Sequence, residues 1–434
     1  MSEILGRLNP SHKQVTVIGG GVSGLLAAYF LNQKGYHIHL IEAQDRCGGL
    51  IQTFDLPCGI AESAAHSLLV TPAVSALFQE LQTPLTPINA RSRARYILRG
   101  GKLRRFPLSL FETLNLLYRV CFKKAPNDPS YKKWSVQQWS EYHLGDAALK
   151  YLFAPMLQGI YGAKAEEISL QAAFPKLCIP SGNSIFRYVL RQVIERLLLR
   201  KKRFSQARPS IMTPTHGMES LTQALYHRIQ STPGNTVSLG QKITQLPEAG
   251  NLIICTPAYE AAQLLKEINP SLSQALSSIE YTPLISVTVF IDQRKLKSIP
   301  RGLGVLIPES EGMECLGILF NSSSFPNKVK GTQDWISCTA FLGGSHRPEL
   351  LADSDHTLIQ RIEKDMKSLF SLEGTISEYS ISRWNRAIPK YNENLMQALE
   401  VAKMTWCAQE GHILFGNYTG SVSLRGMIES CSKL

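Results

Sequence analysis

The stretch from Val15 to Leu50, VTVIGGGVSGLLAAYFLNQKGYHIHLIEAQDRCGGL, decides the fold. It opens with a short β-branched run, Val15 to Ile18, which predicts a buried parallel strand. Gly19, Gly21 and Gly24 follow in G-x-G-x-x-G spacing. The first glycine permits a tight turn, the second lets a pyrophosphate approach bare backbone, and the third lets a helix pack close to the strand. Leu25, Leu26, Ala28, Tyr29, Phe30 and Leu31 then give a helix with a broad apolar face, and Gly35 is placed to end it. The free N–H groups and positive dipole at the start of that helix suit a diphosphate, which assigns Gly19, Gly20, Gly21, Val22, Ser23 and Gly24 to a cofactor cradle. A second strand, His37 to Ile41, ends in Glu42, where this arrangement places a ribose-binding carboxylate. A glycine-rich turn alone would be weak evidence. Strand, turn, helix, strand and acid in this order specify a dinucleotide site. Glu42 suits a free 2′-hydroxyl and disfavours NADP, leaving NAD and FAD open.

The residues after Glu42 read AQDRCGG, from Ala43 to Gly49. An arginine, Arg46, and bare backbone at Gly48 and Gly49 could hold further phosphate or the flavin side of a longer cofactor. At these residues the chain resembles the FAD-dependent amine oxidase and protoporphyrinogen oxidase superfamily, whose members carry R-x-G-G after the ribose acid. The resemblance implies one non-covalent FAD per chain, held partly by Ala43, Arg46, Gly48, Gly49 and Leu50.

Bulk properties narrow the class. The chain has 434 residues, 44% hydrophobic and 18% charged, so two or three globular domains with a sizeable core are expected. The formal charge of +12 admits an anionic substrate, an anionic membrane surface or nucleic acid. Without a zinc finger, an aromatic RNA-binding motif or a basic heptad, nucleic acid is the weakest of the three. The nine cysteines include no C-x-x-C pair, which argues against zinc ribbons and redox dithiols, and Cys255 reads as a small core residue. Reduced thiols and the absence of an apolar signal core suggest the cytoplasm. No apolar run approaches the roughly 18 residues of a membrane span, so membrane contact is expected to be peripheral.

Further along, CGIAESAAHSLL (58 to 69) places Glu62 and His66 among small residues. A turn is the plain reading. The resemblance runs this segment beside the flavin, through Ala64, Ala65, His66 and Ser67, although some relatives carry arginine where His66 stands. RSRARYILRGGKLRRFP (91 to 107) predicts a hairpin turning at Gly100-Gly101, with seven basic residues. A solvated basic edge accounts for most of them. In the protoporphyrinogen oxidases an arginine opens this strand and meets a propionate, which implies that role for Arg95; a guanidinium fork suits a carboxylate.

Residues 108 to 208 read as helical, with expected helices at Leu108 to Cys121, Val136 to His143 and Ala147 to Leu157. The stripe Ile185, Phe186, Val189, Leu190, Val193, Ile194, Leu197 and Leu198 predicts a long amphipathic helix, followed by basic Arg200, Lys201, Lys202 and Arg203. Such a helix either packs inside its own domain or lies on an anionic bilayer, and the resemblance favours peripheral attachment. Gly159-Ile160-Tyr161 resembles a family element in which Gly159 would face a pyrrole. Here Gly162, Ala163 and Lys164 displace the glycine and polar residue that normally follow.

HGMESLTQAL (216 to 225) resembles a family turn into a helix, and strands are expected at Val237 to Ile243 and Leu252 to Thr256. The family implies adenine contact at Ile243 and a return to the cofactor at Thr256. Residues 284 to 342 alternate short β-runs with turns, predicting a mixed or antiparallel sheet, and Ser354 to Phe370 reads as an amphipathic helix. Pattern alone makes Leu303, Leu306 and Phe341 core residues; the resemblance makes them walls for a flat macrocycle. RWNRAIPKY (383 to 391) resembles the R-W-x-x-A-I-P-x-Y of the protoporphyrinogen oxidases and adds Trp384 to the cofactor set. ILFGNYTGSVSLRGMIES (413 to 430) resembles their closing strand and helix, with Gly416, Asn417, Val422, Ser423 and Leu424 against the flavin. Asn417 replaces a common aspartate but can still hydrogen-bond ribityl oxygens.

The expectation is an α/β chain. A Rossmann-like FAD-binding domain of the glutathione-reductase/amine-oxidase type spans 12–90, 213–262 and 383–434. A mixed-sheet substrate domain spans 91–107 and 263–382, and an α-helical insertion 108–212. The implied activity is oxidation of protoporphyrinogen IX to protoporphyrin IX in porphyrin and haem biosynthesis, with molecular oxygen or another electron acceptor. Coproporphyrinogen III oxidation, amine oxidation and flavin binding without turnover stand as alternatives. RWNRAIPKY argues against an amine oxidase. No catalytic side chain and no metal ligand are nominated, because the cofactor carries this chemistry. Peripheral contact with the inner face of the cell membrane and a homodimer are the associations to test.

Overall fold

Strand β1 (Gln14–Ile18) is buried on both faces from Val15 onward because it lies in the middle of a parallel sheet. Strand β2 (His37–Ile41) lies on one side of it, followed by Thr236–Ser238; Leu252–Ile254 and then His412–Leu414 lie on the other. The computed structural model describes residues 4–198, 209–297, 299–331, 335–420 and 422–434. Helix α1 (Val22–Gln33) connects β1 to β2 and buries Leu25, Leu26, Ala28 and Tyr29 with Val15, Val17, Ile38 and Leu40. It ends as expected, with Gly35 at φ +82°. The expected strand Val237–Ile243 is shorter. It covers Thr236–Ser238, after which Gly240 and Gln241 bond to the carbonyls of Gln44 and Glu42 and pull the chain off the ladder.

The chain divides into two compact units. The first comprises Met1–Ile88, Ala207–Glu280 and Asn394–Leu434; the second comprises Asn89–Gln206 and Tyr281–Glu393. The expected domain boundaries shift at three places. Helix Pro270–Ser277 packs on helix Ala258–Leu265, which carries the first unit to residue 280. Residues 383–393 belong to the second unit, because Arg383 and Trp384 lie inside a twelve-residue strand of its sheet. The helical insertion, expected as a separate domain, is part of that same unit.

The second unit is built on a seven-stranded mixed sheet. Its strands are β3 (Arg95–Arg99), β4 (Lys102–Arg104), β5 (Tyr281–Asp292), β6 (Gly304–Leu306), β7 (Gly317–Leu319), β8 (Trp335–Gly343) and β9 (Glu378–Pro389). The order across the sheet is β9-β5-β8-β7-β6-β3-β4, with only β6 and β3 parallel. One face supplies Leu98, Val287, Val305, Ile318 and Ala340 to a core closed by Leu358, Ile362, Met366 and Phe370 of helix Asp355–Phe370.

The helical insertion has its own core around Tyr131, Trp139, Leu170 and Ile179. The helix expected over 147–157 is broken into Asp146–Ala148, a π turn at Leu149–Phe153, and Ala154–Tyr161. Pro155 causes this: it has no N–H, and its ring crowds the carbonyl four residues back, which the wider turn relieves. Helix α2 (Leu110–Phe122) starts at a Ser109–Glu112 capping box yet buries none of its residues. Phe111 is 83% exposed, Leu110 72% and Phe122 68%. Helix α3 (Ile185–Leu198) packs against α2 and exposes Phe186, Val189, Leu190, Val193 and Ile194, the expected stripe, by 44–51%. The basic residues at 200–203 lie outside the described residues.

Inside the insertion, Trp139 Nε1 donates to Tyr131 Oη at 3.0 Å, and Tyr131 Oη lies 2.9 Å from His143 Nε2. His143 is fully buried. Burial pushes its pKa down to about 4, with Lys123 adding repulsion. A base whose folded pKa lies below its unfolded value stabilises the fold above pH 6.5 and loses that stability as pH falls toward 4. Urea unfolding is therefore expected to weaken between pH 6.5 and 4 by on the order of 2–3 kcal/mol from this group. His143→Gln should remove that part of the slope; a variant with an unchanged acid profile would show that His143 does not titrate in this window.

Candidate cofactor-binding site

The glycine turn behaves differently at each position. Gly19 has φ +99°, and a Cβ on Gly24 would sit 1.9 Å from the Gly19 carbonyl oxygen. Gly24 is therefore what allows α1 to lie against β1. A Cβ on Gly21 would meet only Gly49 Cα, at 3.9 Å, so Gly21 opens onto free space. Gly21 is also the N-cap of α1, with no side-chain cap and no acidic residue in the first turn. The helix therefore presents uncapped N–H groups and an uncompensated positive end, as an anion site requires.

Glu42 stands at the end of β2. Its carboxylate accepts from the N–H of Gly20 at 2.5 Å and of Gln44 at 2.8 Å, which fixes it at the mouth of the turn. Cys47 lies against the same corner, 2.8 Å from where a Gly20 Cβ would be. Burial first, and Glu42 second, push its thiol up to about 12, so it is an inert neighbour. Ala43 follows Glu42, between the two residues whose carbonyls accept from Gln241 and Gly240, and Ile243 is half-buried two residues past Gln241.

Arg46 turns onto its own loop. Its guanidinium donates to the carbonyls of Gly49 (2.8 Å), Cys47 (3.3 Å) and Ile51 (3.4 Å) and lies 4.0 Å from Glu219. In this geometry it shapes the Gly48-Gly49 turn, whose Gly48 N–H returns to the Gly20 carbonyl at 2.8 Å. Leu50 is partly exposed beyond it. Ser63 ties Ala64, Ala65, His66 and Ser67 to this loop, donating to the Leu50 carbonyl at 2.6 Å and accepting from Gln52 N–H at 2.9 Å.

Several supporting residues were not read from sequence. Buried Glu62 accepts from Met218 N–H (3.0 Å) and Thr53 Oγ1 (2.7 Å), while Thr53 and Glu219 exchange two further bonds. Together they fasten the strand after the Gly48-Gly49 turn to the start of helix Glu219–Gln230. Thr222 of that helix lies 3.2 Å from where a Gly48 Cβ would be. The available signal was Gly217, at φ +98° directly before the helix, where a Cβ would strike the Thr53 side chain.

On the other side of β1, Thr256 follows Leu252–Ile254 with its Oγ1 buried and without a partner among the described residues. Its Cγ2 is 3.2 Å from a Cβ placed on Gly19. Gly416 and Asn417 follow His412–Leu414, with Gly416 N–H donating to Thr419 Oγ1 at 3.1 Å. Val422 leads into the C-terminal helix Leu424–Cys431, which Ser423 caps by accepting from Gly426 N–H at 3.2 Å. That helix packs on α1, with Ser23 Oγ 3.6 Å from Met427 Sδ. The opening and closing segments of the chain thus meet at the carboxyl edge of one sheet. Trp384 is the exception among the expected cofactor residues: it belongs to the second unit, opposite Leu284 on β5.

The residues fit FAD. Gly21 leaves room for a diphosphate, Glu42 is held ready for ribose hydroxyls, and the orphaned Thr256 Oγ1 gives a polar contact at the rim.

The expected substrate residues lie in the second unit. Register aligns Arg104, Ile97, Leu306, Gly317, Phe341 and Ser286 across β4, β3, β6, β7, β8 and β5. Directly opposed residues share a face, and this one is opposite the core face. Leu306 and Phe341 thus flank Gly317, which removes bulk between them. Gly159, exposed on helix Ala154–Tyr161, would put a Cβ 3.0 Å from Leu306 Cδ2. Arg95 opens β3 beside Gly304 on the same face, exposed and without an ion-pair partner among the described residues. Leu303, half-buried, precedes β6 and falls out of phase with Leu306. Gly159, Leu306, Phe341 and Arg95 are brought to one face; Leu303 is not placed with them.

Fold and site define a dinucleotide-binding flavoprotein. Residues 22–431 match the family described as flavin containing amine oxidoreductase, and the chain belongs to that family. It is an FAD-dependent oxidoreductase. It is 25% identical to a chloroplastic protoporphyrinogen oxidase of Nicotiana tabacum, over 95% of this chain and 83% of the relative. It is 21% identical to a coproporphyrinogen III oxidase of Bacillus subtilis, over 91% of this chain and 90% of the relative. A provisionally named protoporphyrinogen oxidase from Exiguobacterium sp. 255-15 shares the fold with a TM-score of 0.75 at 19% identity, covering 98% of each chain.

Two glycine variants separate folding from binding. Gly24→Ala forces a methyl group into the Gly19 carbonyl and should destabilise the apoprotein by about 3 kcal/mol. Gly21→Ala should leave apoprotein unfolding unchanged and weaken FAD binding at least about tenfold, by filling the space left for phosphate. Equal effects of both variants on apoprotein stability would contradict this division.

Proposed function

We propose that this chain oxidises a porphyrinogen, with protoporphyrinogen IX as the substrate and protoporphyrin IX as the product. The observation that carries the reading is the face of the second unit's sheet opposite its core, where Leu306 and Phe341 are half-buried. There a flat apolar floor, Leu306-Gly317-Phe341, sits beside Gly159 and the unpartnered Arg95. A macrocycle needs a flat apolar surface, and its propionates need cations at the edge. The named relatives, matched over 83% and 90% of their lengths, support the same reading.

When bound, FAD supplies a two-electron acceptor for hydride. The protein's own residues orient and desolvate. Arg95 holds a carboxylate, Gly159 lets the ring approach the helix backbone, and Leu306 and Phe341 keep water from the ring face. Removing six hydrogens takes three two-electron rounds. With oxygen as terminal acceptor, each round consumes one O2 and releases one H2O2. Each round passes one hydride toward the flavin and gives one proton to solvent, and the proton is taken up again when O2 becomes H2O2; no side chain is nominated as acid or base.

Coproporphyrinogen III is the second reading. Its four carboxylates suit the excess of cations on the β3–β4 hairpin, and the Bacillus subtilis relative bears that name. Anaerobic flavin bleaching separates the two: protoporphyrinogen IX should bleach the flavin faster than coproporphyrinogen III. The reverse order would reassign the substrate, and bleaching by neither would end the porphyrinogen reading. Arg95→Ala should raise KM by about 30-fold or more, as expected for loss of a desolvated carboxylate partner. An unchanged KM would remove Arg95 from the site.

Peripheral attachment to the inner face of the cell membrane is part of the proposal. The exposed apolar residues of α2 and α3 form adjoining faces, and Arg105, Lys123, Lys124, Arg187 and Arg191 lie on or near these helices. Apolar area with flanking cations is the composition of an interfacial helix pair. Among the described residues, no helix is long and apolar enough to cross a membrane. Flotation with anionic liposomes should carry the protein upward, and Phe111→Ser with Leu114→Ser should leave it at the bottom. A wild-type protein that stays at the bottom but elutes as a dimer would assign the patch to a second copy of the chain.

A further inference from the structure

The hairpin places four cations on the face that carries Leu306 and Phe341. Ladder phase puts Arg95 and Arg99 of β3 there, with Lys102 opposite Arg99 and Arg104 opposite Ile97. Like charges set directly across a ladder are destabilising, so this arrangement needs compensation. Arg99 has it. Its two terminal nitrogens meet Glu112 at 2.6 and 2.9 Å, it donates to the Pro107 carbonyl at 2.6 Å, and it lies 4.1 Å over the Tyr151 ring. Arg95, Lys102 and Arg104 have no carboxylate partner among the described residues. One of the four charges is therefore neutralised within the protein and three are left over.

Arg95 and Arg104 are not equivalent to a scattered basic edge. Each is one step from Ile97: Arg95 two residues earlier on the same strand, Arg104 directly across the hairpin. That makes them diagonal neighbours, about 7–8 Å apart and closer still between Cβ atoms. Ile97 continues directly into Leu306, Gly317 and Phe341. Arg95 and Arg104 thus start from neighbouring positions on one face, at one end of the apolar row. The Arg99 end of β3 is occupied by its own ion pair.

We infer that Arg104 is a second carboxylate anchor beside Arg95, so that the site reads two carboxylate arms carried on neighbouring rings of one macrocycle. The inference rests on the porphyrinogen reading and adds a residue to it. Arg95 and Arg104 grip one edge of the ring, and the rest of the ring lies over Leu306, Gly317 and Phe341. Two forks at one edge fix which way round the macrocycle enters, which a single arginine cannot do. Both are positioning contacts to the substrate's periphery and touch no reacting atom.

The test compares Arg104→Ala, Arg104→Lys and Arg95→Ala in the flavin-loaded full chain, using protoporphyrinogen IX and its dimethyl ester. Arg104→Ala should raise KM for the free acid about tenfold with kcat unchanged, as loss of one partly exposed fork predicts. Arg104→Lys should recover part of that loss, and the dimethyl ester should not distinguish wild type from either alanine variant. An unchanged KM in Arg104→Ala, alongside a raised KM in Arg95→Ala, would overturn the inference and leave the porphyrinogen reading standing. If Arg104→Ala instead weakens only the flotation with anionic liposomes, Arg104 serves a lipid headgroup and the inference falls. A wild-type chain that oxidises neither free acid nor ester would overturn the porphyrinogen reading itself. Direct binding of protoporphyrin IX, followed by quenching, would then still report whether Arg104 holds a carboxylate.

Discussion

The uncapped N-terminus of α1 is the constraint on which the first unit depends. Most helices satisfy their first N–H groups with a side chain at the N-cap or an acid in the first turn. This one has Gly21 and no acid. Capping it with a serine or aspartate would have stabilised the apoprotein, by roughly a few tenths of a kcal/mol relative to glycine. The positive helix end is left for a diphosphate instead. The surrounding geometry follows: Gly24 brings the helix close enough for its end to align with β1, Gly48 ties the next loop back to Gly20, and the C-terminal helix seats on the first turn of α1.

The second unit solves a different problem with one sheet. One face is a conventional apolar core under helix Asp355–Phe370; the other has Gly304 and Gly317, where a Cβ would press on the carbonyl oxygens of Ile318 and Val305, and cations at one edge. The sheet thus separates stability from recognition by the alternation of its strands. Some polar groups at the recognition end are fully satisfied internally. Thr288 and Thr339 pair at 2.9 Å and Asn321 donates to Thr339 at 2.8 Å, so that part of the face is structural. The unsatisfied groups are at the hairpin.

How far the sequence was legible follows from the range of the interactions. The β1-turn-α1-β2 unit could be read because its determinants are local: apolar periodicity, glycine spacing and a terminal acid. The hairpin at Gly100-Gly101 and the helix Val136–His143 were readable for the same reason. The domain edges were not, because whether residues 383–393 belong to one unit or the other depends on pairing with β5, a hundred residues earlier. The break at Pro155 was marked by the proline itself, but the π turn that absorbs it depends on how the flanking helices pack. The inward turn of Arg46 onto the Gly48-Gly49 carbonyls was also invisible, since a motif gives a residue type and not a side-chain direction. Glu62, Thr53 and Glu219 form a brace whose members are far apart in sequence, and no local pattern marks such a group.

The account therefore rests on the diphosphate and on the positive helix end that receives it. The most direct measurement is a thermal-shift titration of the apoprotein with FAD and, separately, with FMN, which shares the flavin ring but lacks the diphosphate and the adenosine. FAD is expected to raise Tm in a saturable, one-to-one manner and FMN to do so only at concentrations higher by at least about a hundredfold, the scale of losing a charged phosphate contact and the Glu42–ribose bonds. Equal shifts from FAD and FMN, or none from FAD, would contradict the assignment of α1 as the phosphate site.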